Sequence, residues 1–316
     1  MSGLERAAAF APASVGNLGV GFDILGQSMS AIGDIVSVRR IDEPVVRIEA
    51  IEGVVKELPL DAAANTAGVA LLRLREAAQV SFGFSARIEK GIPLKAGLGG
   101  SAASAVAAVV AANALLDAPL DRVALLKLAV QGEAVASGSL HADNIAPSLY
   151  GGLVLTVGID EPQIRRIPVP SDVRCVVVHP ALYVETREAR RILRTTCALE
   201  DVVWQSANLA GLITGCFLDD IALIRASLED VLIEPQRRVL IRGFDAVKQA
   251  ARAAGALGCS ISGSGPSVFA WVLSEDAQRA RDDMLRAFAD TGVAAQAWIS
   301  SIEPRGAHLL VDRCSS

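Results

Sequence analysis

Residues 93–104 read Pro-Leu-Lys-Ala-Gly-Leu-Gly-Gly-Ser-Ala-Ala-Ser, and no other stretch restricts the chain so tightly. Gly97, Gly99 and Gly100 free the backbone for positive φ and for close approach by other atoms. A run of alanine, serine and valine follows at once and reaches about Leu116. Its composition favours a helix with almost no side-chain bulk, and a helix apolar all round is a buried one. The stretch therefore predicts a glycine loop delivering the chain into the N-terminus of a buried helix. Such an end presents unpaired N–H groups and the positive pole of the helix dipole, which suits phosphate. Ser101 and Ser104 add first-turn hydroxyls able to hydrogen-bond phosphate or ligate a hard metal ion. The plainer alternative is a glycine-rich turn with a serine cap.

Upstream, the pattern predicts a short strand over 7–10, then a structured loop over 11–23 carrying Gly16, Asn17, Gly19, Gly21 and Asp23. A surface loop whose Asn and Asp bond their own backbone would read the same way. Residues 35–41 and 45–51 alternate apolar and polar positions, as half-buried antiparallel strands do. Helical spacing over 65–78 and another alternating strand over 84–88 lead to the glycine loop.

After a turn at 117–121, Val123, Leu126 and Val130 share one helix face, and Glu133 follows on the same stripe. A lone carboxylate facing a core is costly unless it is paired or bound to a cation. An ion pair, or a helix end that reaches solvent, would satisfy it without a metal. Gly138-Ser-Leu-His141-Ala-Asp143-Asn144 then sets three chemically capable side chains together, ahead of an apolar strand over 152–157.

Pro162, Pro168 and Pro170 interrupt the pattern and divide the chain into domains over 1–165 and 166–316. The second half predicts a strand over 173–179, helices over 186–194 and 205–218, and a break at 234–237. A helix over 244–254 and a second glycine–serine loop over 258–266 follow, the latter able to form an anion nest. A strand over 267–272, a helix over 276–289 and a strand over 294–302 close the chain.

Composition narrows the function. With 316 residues, 52% of them hydrophobic and only 4% aromatic, the chain can build two domains around an aliphatic core. A net charge of -5 without a basic run argues against a nucleic-acid or membrane-surface partner. Five scattered cysteines without Cys-x-x-Cys spacing point to free thiols in a reducing compartment, not to zinc. The first residues do not read as a signal peptide, and the longest apolar run, 105–112, is far shorter than a membrane span. A cytoplasmic protein is the expectation. There is no P-loop signature. Residues 97–102 formally fit Gly-x-Gly-x-x-Ala, but a dinucleotide fold needs a buried strand running straight into the first glycine, and Lys90-Gly-Ile-Pro93 interrupts it. Phosphoryl transfer without a P-loop still requires amides for phosphate, a bridging Mg²⁺ and an oriented acceptor. The glycine loop, the hard-oxygen pair Ser101 and Glu133, and the polar cluster Asp23, His141, Asp143 and Asn144 could supply these.

Taken together, residues 93–104, 11–26 and 258–271 resemble the three motifs of the GHMP kinase superfamily. Within it the chain is most similar to the homoserine kinase family, through residues 12–23, His141-Ala-Asp-Asn144, Thr186-x-x-x-Arg190 and Glu234-Pro-x-Arg237. The resemblance spans nearly the whole chain. It implies an α+β, two-domain GHMP kinase fold: an N-terminal domain like the second domain of ribosomal protein S5 and a C-terminal ferredoxin-like domain. It implies ATP as co-substrate on Pro93, Leu94, Lys95, Ala96, Gly97, Leu98, Gly99, Gly100, Ser101, Ala102 and Ala103, with Asn65 and Lys90 on the nucleotide side. Ser101 and Glu133 would be the Mg²⁺ ligands. Asn17, Asp23, His141, Arg190 and Arg237 would surround L-homoserine, and Asn144, Asp143 and Arg190 would serve the chemistry, as positioning groups or with Asp143 as base. The resemblance leaves a homodimer open. One residue departs from the family loop: Gly100 stands where a serine is usual.

Overall fold

The computed structural model describes residues 4–137, 141–158, 161–302 and 305–311. Residues 138–140 of the predicted polar loop, the first three residues and Cys314 lie outside these. The framework begins with a long antiparallel pair, β1 (Arg6–Gly16) and β2 (Leu25–Ile41), matched from Arg6 opposite Arg39 to Gly16 opposite Gly26 with a shift of register between Pro12 and Ala13. β3 (Val46–Gly53) and β4 (Gly83–Lys90) are joined through α1 (Thr66–Ala78). Because the helix returns the chain to the same end, these strands pair in parallel, and β4 inserts between β2 and β3. The antiparallel reading of 45–51 is corrected accordingly: alternation reports a half-buried face, not the direction of the neighbouring strand.

β4 runs through the glycine loop into α2 (Gly100–Asn113), followed by α3 (Arg122–Ser137), α4 (Ile145–Tyr150), β5 (Leu153–Val157) and β6 (Gln163–Ile167). β5 pairs with β2, and β6 pairs with β5. As predicted, α2 is wrapped on all sides. Residues from Ala102 to Val109, with Ala111 and Ala112, are buried between the β1–β2 pair and helices α1 and α3. Alanine on every face lets the neighbouring elements pack close to the helix axis.

The second sheet opens with β7 (Val173–Pro180). Helices α5 (Thr186–Arg191), α6 (Leu199–Leu218), α7 (Ile221–Ser227), α8 (Glu234–Arg237) and α9 (Phe244–Ala253) precede β8 (Gly258–Ile261) and β9 (Val268–Leu273). α10 (Ala277–Asp290) and β10 (Ala295–Ser300) complete an antiparallel sheet ordered β10-β7-β9-β8, the arrangement of a ferredoxin-like domain. Val176, Val178, Ile261 and Val268 on one face pack against Val247 and Ala251 of α9 and Met284 and Phe288 of α10. On the other face Cys175, Val177, Phe269 and Trp271 join the core of the first domain. The Trp271 indole donates to Gln27 Oε1 of β2 at 2.6 Å. Finally β11 (His308–Leu309) returns to the first sheet beside β1.

Several elements run beyond the sequence reading. β1 continues to Gly16 and β2 starts at Leu25, because each supplies the other with backbone partners where Pro12, Ser14 and Gly16 offer little strand propensity. β6 lies between the prolines that seemed to break the chain, so the change of sheet falls between Ile167 and Val173. The break at 234–237 is a single helical turn with Pro235 in its first positions. α6 starts at Leu199 rather than residue 205, and the first four residues of the second glycine–serine loop form β8.

The packing of α2 makes a direct prediction. Ala107 is fully buried, so Ala107→Leu should destabilise the protein by about 1–3 kcal/mol through overpacking. A melting temperature a few degrees below wild type, read by circular dichroism, is the expected result; an unchanged melt would show that α2 has slack around it.

Candidate active site

Three glycine-bearing segments, far apart in sequence, interlock behind one cavity. A Cβ on Gly99, which has φ +63°, would lie 2.2 Å from Ser14 Oγ. A Cβ on Gly97 would lie 2.6 Å from the carbonyl oxygens of both Ser262 and Gly265. Hydrogen bonds fill the same contacts: Ser14 N–H donates to the Leu98 carbonyl at 3.1 Å, Ser262 Oγ to the Gly97 carbonyl at 2.7 Å, and Gly263 N–H to the Gly16 carbonyl at 3.0 Å. Ser14 Oγ also donates to Asn144 Oδ1 at 2.9 Å, which brings in the turn before α4. The cavity that opens among these segments measures about 510 Å³.

Its acceptor-side residues carry strong charges that already answer one another. Asp23, in a left-handed conformation at φ 64°, receives both Arg190 amino groups, NH2 on Oδ1 at 2.7 Å and NH1 on Oδ2 at 3.0 Å. His141 Nδ1 stands 3.6 Å from Asp23 Oδ2. Burial lowers the His141 pKa despite that carboxylate, so its imidazole is neutral at neutral pH. Asn17 bridges the domains: its Oδ1 accepts the Asp23 N–H, and its Nδ2 donates to the Gly263 carbonyl, both at 2.9 Å. Arg237 is buried, with Nε on the Ala189 carbonyl at 3.0 Å and NH1 on the Gly263 carbonyl at 3.1 Å. Burial, then the nearby Arg190, lower its pKa to about 10. Phe22 lies against both guanidinium groups, 5.4 Å from Arg190 and 5.0 Å from Arg237. Asp143 is buried and accepts an Asn144 Nδ2 hydrogen bond at 3.3 Å. Burial, with Asp23 adding to it, lifts its pKa from 3.8 to about 7.

On the glycine-loop side, Ser101 Oγ donates to Glu133 Oε1 at 2.8 Å. Beside Glu133, Gly132 lets α3 come close to α1, because a Cβ there would lie 2.6 Å from the Thr66 carbonyl. Burial raises Glu133 to about 7 against the opposing pull of Ser101. A serine hydroxyl and a desolvated carboxylate, both bordering the cavity, suit a hard divalent cation whose charge would offset that desolvation. Among the described residues no three His, Cys, Asp or Glu side chains are placed to hold a metal ion together.

The remaining nucleotide-side residues divide. Pro93, Leu94, Lys95, Ala96, Gly97, Gly99, Gly100 and Ser101 line the cavity. Leu98, Ala102 and Ala103 pack into the core instead, and the Ala103 N–H is taken by the Gly99 carbonyl at 2.8 Å. Lys95 places its ammonium over the Tyr183 ring, 4.2 Å from the centroid. Asn65 borders the cavity but spends its side chain capping α1 through Ala67 and Gly68, while donating to the Pro59 carbonyl. Lys90 likewise borders the cavity and is buried in an ion pair with Asp34. A serine at position 100 would meet Ile92, since a Cβ there lies 3.2 Å from its Cγ2.

Ser14 and Asp34 escaped the sequence reading. Ser14 sits inside the first motif, where the expected loop hid its strand geometry. Asp34 stands in phase with Val36 and Val38 on the inward face of β2, the same signal that singled out Glu133.

Comparison with known proteins points to one family. Residues 65–152 match the GHMP kinases N terminal domain, and residues 212–290 match the GHMP kinases C terminal model. The chain is 52% identical over 307 residues to the homoserine kinase of Xylella fastidiosa (strain M12), covering 97% of this chain and 94% of that protein. It is also 52% identical over 309 residues to that of Xanthomonas campestris pv. campestris (strain B100), covering 98% and 95%. The crystal structure of homoserine kinase from Cytophaga hutchinsonii superposes with a TM-score of 0.94 at 42% identity, over 98% of this chain and 99% of that one.

The elevated Asp143 makes stability depend on pH with a definite sign. Its folded pKa is about 7 against an ordinary 3.8, so the folded state holds a proton that the unfolded state releases. The stability this contributes is complete below the unfolded pKa and is lost as pH rises through the folded one. Asp143→Asn abolishes that loss. The melting temperature of the variant relative to wild type should therefore climb between about pH 4 and about pH 7 and level off above, leaving the slope due to Glu133. A constant difference across that range would show that Asp143 is ionised in the fold.

Proposed function

The chain belongs to the homoserine kinases, the GHMP enzymes that phosphorylate the hydroxyl of L-homoserine with ATP to give O-phospho-L-homoserine in threonine biosynthesis, and from that premise we propose how its residues divide the work. The observation that carries the reading is that one cavity holds both the free N-terminus of α2 with Ser101 and Glu133, and the Asp23–Arg190 pair beside Arg237.

ATP sets its phosphates against the glycine-loop amides and the first turn of α2, where the helix dipole favours negative charge. Ser101 and Glu133 would hold Mg²⁺, which would supply positive charge to offset that of the phosphates. The acceptor is a zwitterion, and the pair Asp23 and Arg190 matches it charge for charge. Its α-carboxylate meets Arg190 and Arg237, and Asp23 takes the amine or the hydroxyl. Asn17 and neutral His141 complete the enclosure. Arg237 is held at Nε and NH1 by backbone carbonyls, so its guanidinium is pre-oriented before substrate arrives.

Phosphoryl transfer passes through a loose transition state that asks little of a base, so positioning and charge stabilisation carry most of the work. Asn144, fixed by Ser14, orients the hydroxyl. Asp143 anchors the turn and accepts from Asn144. Its elevated pKa also suits a group that receives the hydroxyl proton, which is the second reading.

We place the enzyme in the cytoplasm. The described cysteines are unpaired thiols, and among the described residues no helix is long and apolar enough to cross a membrane. A homodimer fits the outward face of α6, which exposes Val203, Trp204, Phe217 and Leu218.

A coupled ADP-release assay with ATP and Mg²⁺ tests the acceptor assignment. L-homoserine should turn over far faster than mevalonate, galactose or L-serine, and preference for a neutral sugar would overturn the Arg190–Arg237 clamp. Steady-state kinetics separate the two readings of Asp143. Glu133→Ala should lower kcat more than Asp143→Ala; the reverse order would make Asp143 the base.

A further inference from the structure

In the buried pair Asp34–Lys90, Lys90 borders the cavity beside the glycine loop but keeps its ammonium on protein partners. Asp34 Oδ1 accepts the backbone N–H groups of Gly91 at 3.0 Å and Ile92 at 3.2 Å, where β4 turns into the loop. Asp34 Oδ2 accepts Lys90 Nζ and, at 2.7 Å, Ser104 Oγ. The Lys90 ammonium has two further partners, Ser104 Oγ at 2.8 Å and the Gly100 carbonyl at 2.7 Å. All three of its N–H bonds are thus committed inside the protein. A buried ion pair is weak evidence for stability, since neutral residues of similar volume often replace one without loss. Its geometry here serves something else.

The Gly100 carbonyl and the Ser101 N–H belong to one peptide unit. The first intrahelical bond of α2 runs from Ala103 N–H to the Gly99 carbonyl, so the Ser101 N–H precedes it and is left for a ligand. A cation hydrogen-bonded to a carbonyl draws electron density through the peptide and strengthens the N–H at its other end as a donor. We infer that Asp34 and Lys90 are positioning residues for phosphoryl transfer: Asp34 aims Lys90 at the Gly100 carbonyl, and Lys90 polarises the Gly100–Ser101 peptide toward the phosphates of ATP. Lys90 acts on the nucleotide through this peptide and not by direct contact. This rests on the assignment of the glycine loop to the phosphates.

The pair is electrically neutral as a unit, which makes a clean test available. Asp34→Asn/Lys90→Met removes both charges, leaves no unpaired buried carboxylate and keeps an oxygen for the Gly91 and Ile92 amides. Net charge near the loop is unchanged, so long-range attraction of ATP is unaltered. Affinities for MgATP and for adenosine are measured by calorimetry, with kcat and KM for homoserine alongside. The expected result is MgATP binding weaker by about three- to tenfold, with adenosine affinity and homoserine KM within about twofold of wild type. Asp34→Asn/Lys90→Gln, which restores a neutral donor, should recover part of the loss, and it is the variant to use if the Met form does not fold. Parallel loss of MgATP and adenosine affinity would mean a structural role only, and unaltered MgATP affinity would mean no role; either overturns the inference. A wild-type protein that binds MgATP no better than adenosine would instead overturn the phosphate-loop assignment beneath it.

Discussion

The backbone contact at Gly97 and Gly99 is the constraint on which the rest of the structure depends. Neither position tolerates a Cβ, because Ser14 stands 2.2 Å from one and the Ser262 and Gly265 carbonyls 2.6 Å from the other. That closeness lets β1, the glycine loop and the β8–β9 connection share hydrogen bonds instead of merely neighbouring one another. Strand lengths follow from it. β1 must extend to Gly16 to put Ser14 and the Gly16 carbonyl in place, and β2 must extend to Leu25 to pair with it. The small side chains of α2 follow as well, since a bulkier helix could not start so close to β1 and still be covered by α1 and α3.

On this frame the site keeps its charges in balance before any ligand arrives. Asp23 is matched by Arg190, and Asp34 by Lys90. The carboxylates beside the proposed metal and hydroxyl positions, Glu133 and Asp143, have pKa values lifted by burial to about 7. The two kinds of carboxylate reflect two tasks. Paired groups hold the geometry until a ligand's charges replace a partner, while groups held near neutral pH can gain or release a proton or take up a cation at little cost.

Much of this was legible in the residues. The glycine loop, the buried α2 and the inward Glu133 all carry local signals, as composition, spacing and a carboxylate on an apolar stripe. The extra strand residues in β1 and β2 carry none, because Pro12, Ser14 and Gly16 are poor strand formers that only tertiary pairing makes extended. The direction of β3 was equally hidden: alternation over 45–51 is satisfied by a parallel neighbour reached through α1. Asn65 and Lys90 border the expected cavity, yet their partners, the cap of α1 and Asp34, are set by contacts that spacing alone does not report. Asp34 carries a legible signal, in phase with Val36 and Val38, but no motif surrounds it to mark it out.

The junction between the domains explains why a site built from both can be exact without a ligand. The glycine loop and Asp23 come from the first domain, and Arg190 and Arg237 from the second. Were the interface polar and thin, their relative positions would drift with it, as domain motion is the default for such interfaces. Here Cys175, Val177, Phe269 and Trp271 pack into the core of the first domain, and Trp271 is tied to Gln27. β11 adds a second tie by returning the chain to the edge of the first sheet. Rigid-body opening would have to expose that shared core, so adjustment on binding falls to side chains at the cavity. Exchange of the Asp23–Arg190 pair for the charges of a zwitterionic acceptor is such an adjustment. It needs rotation of half-buried arms and no movement of sheets.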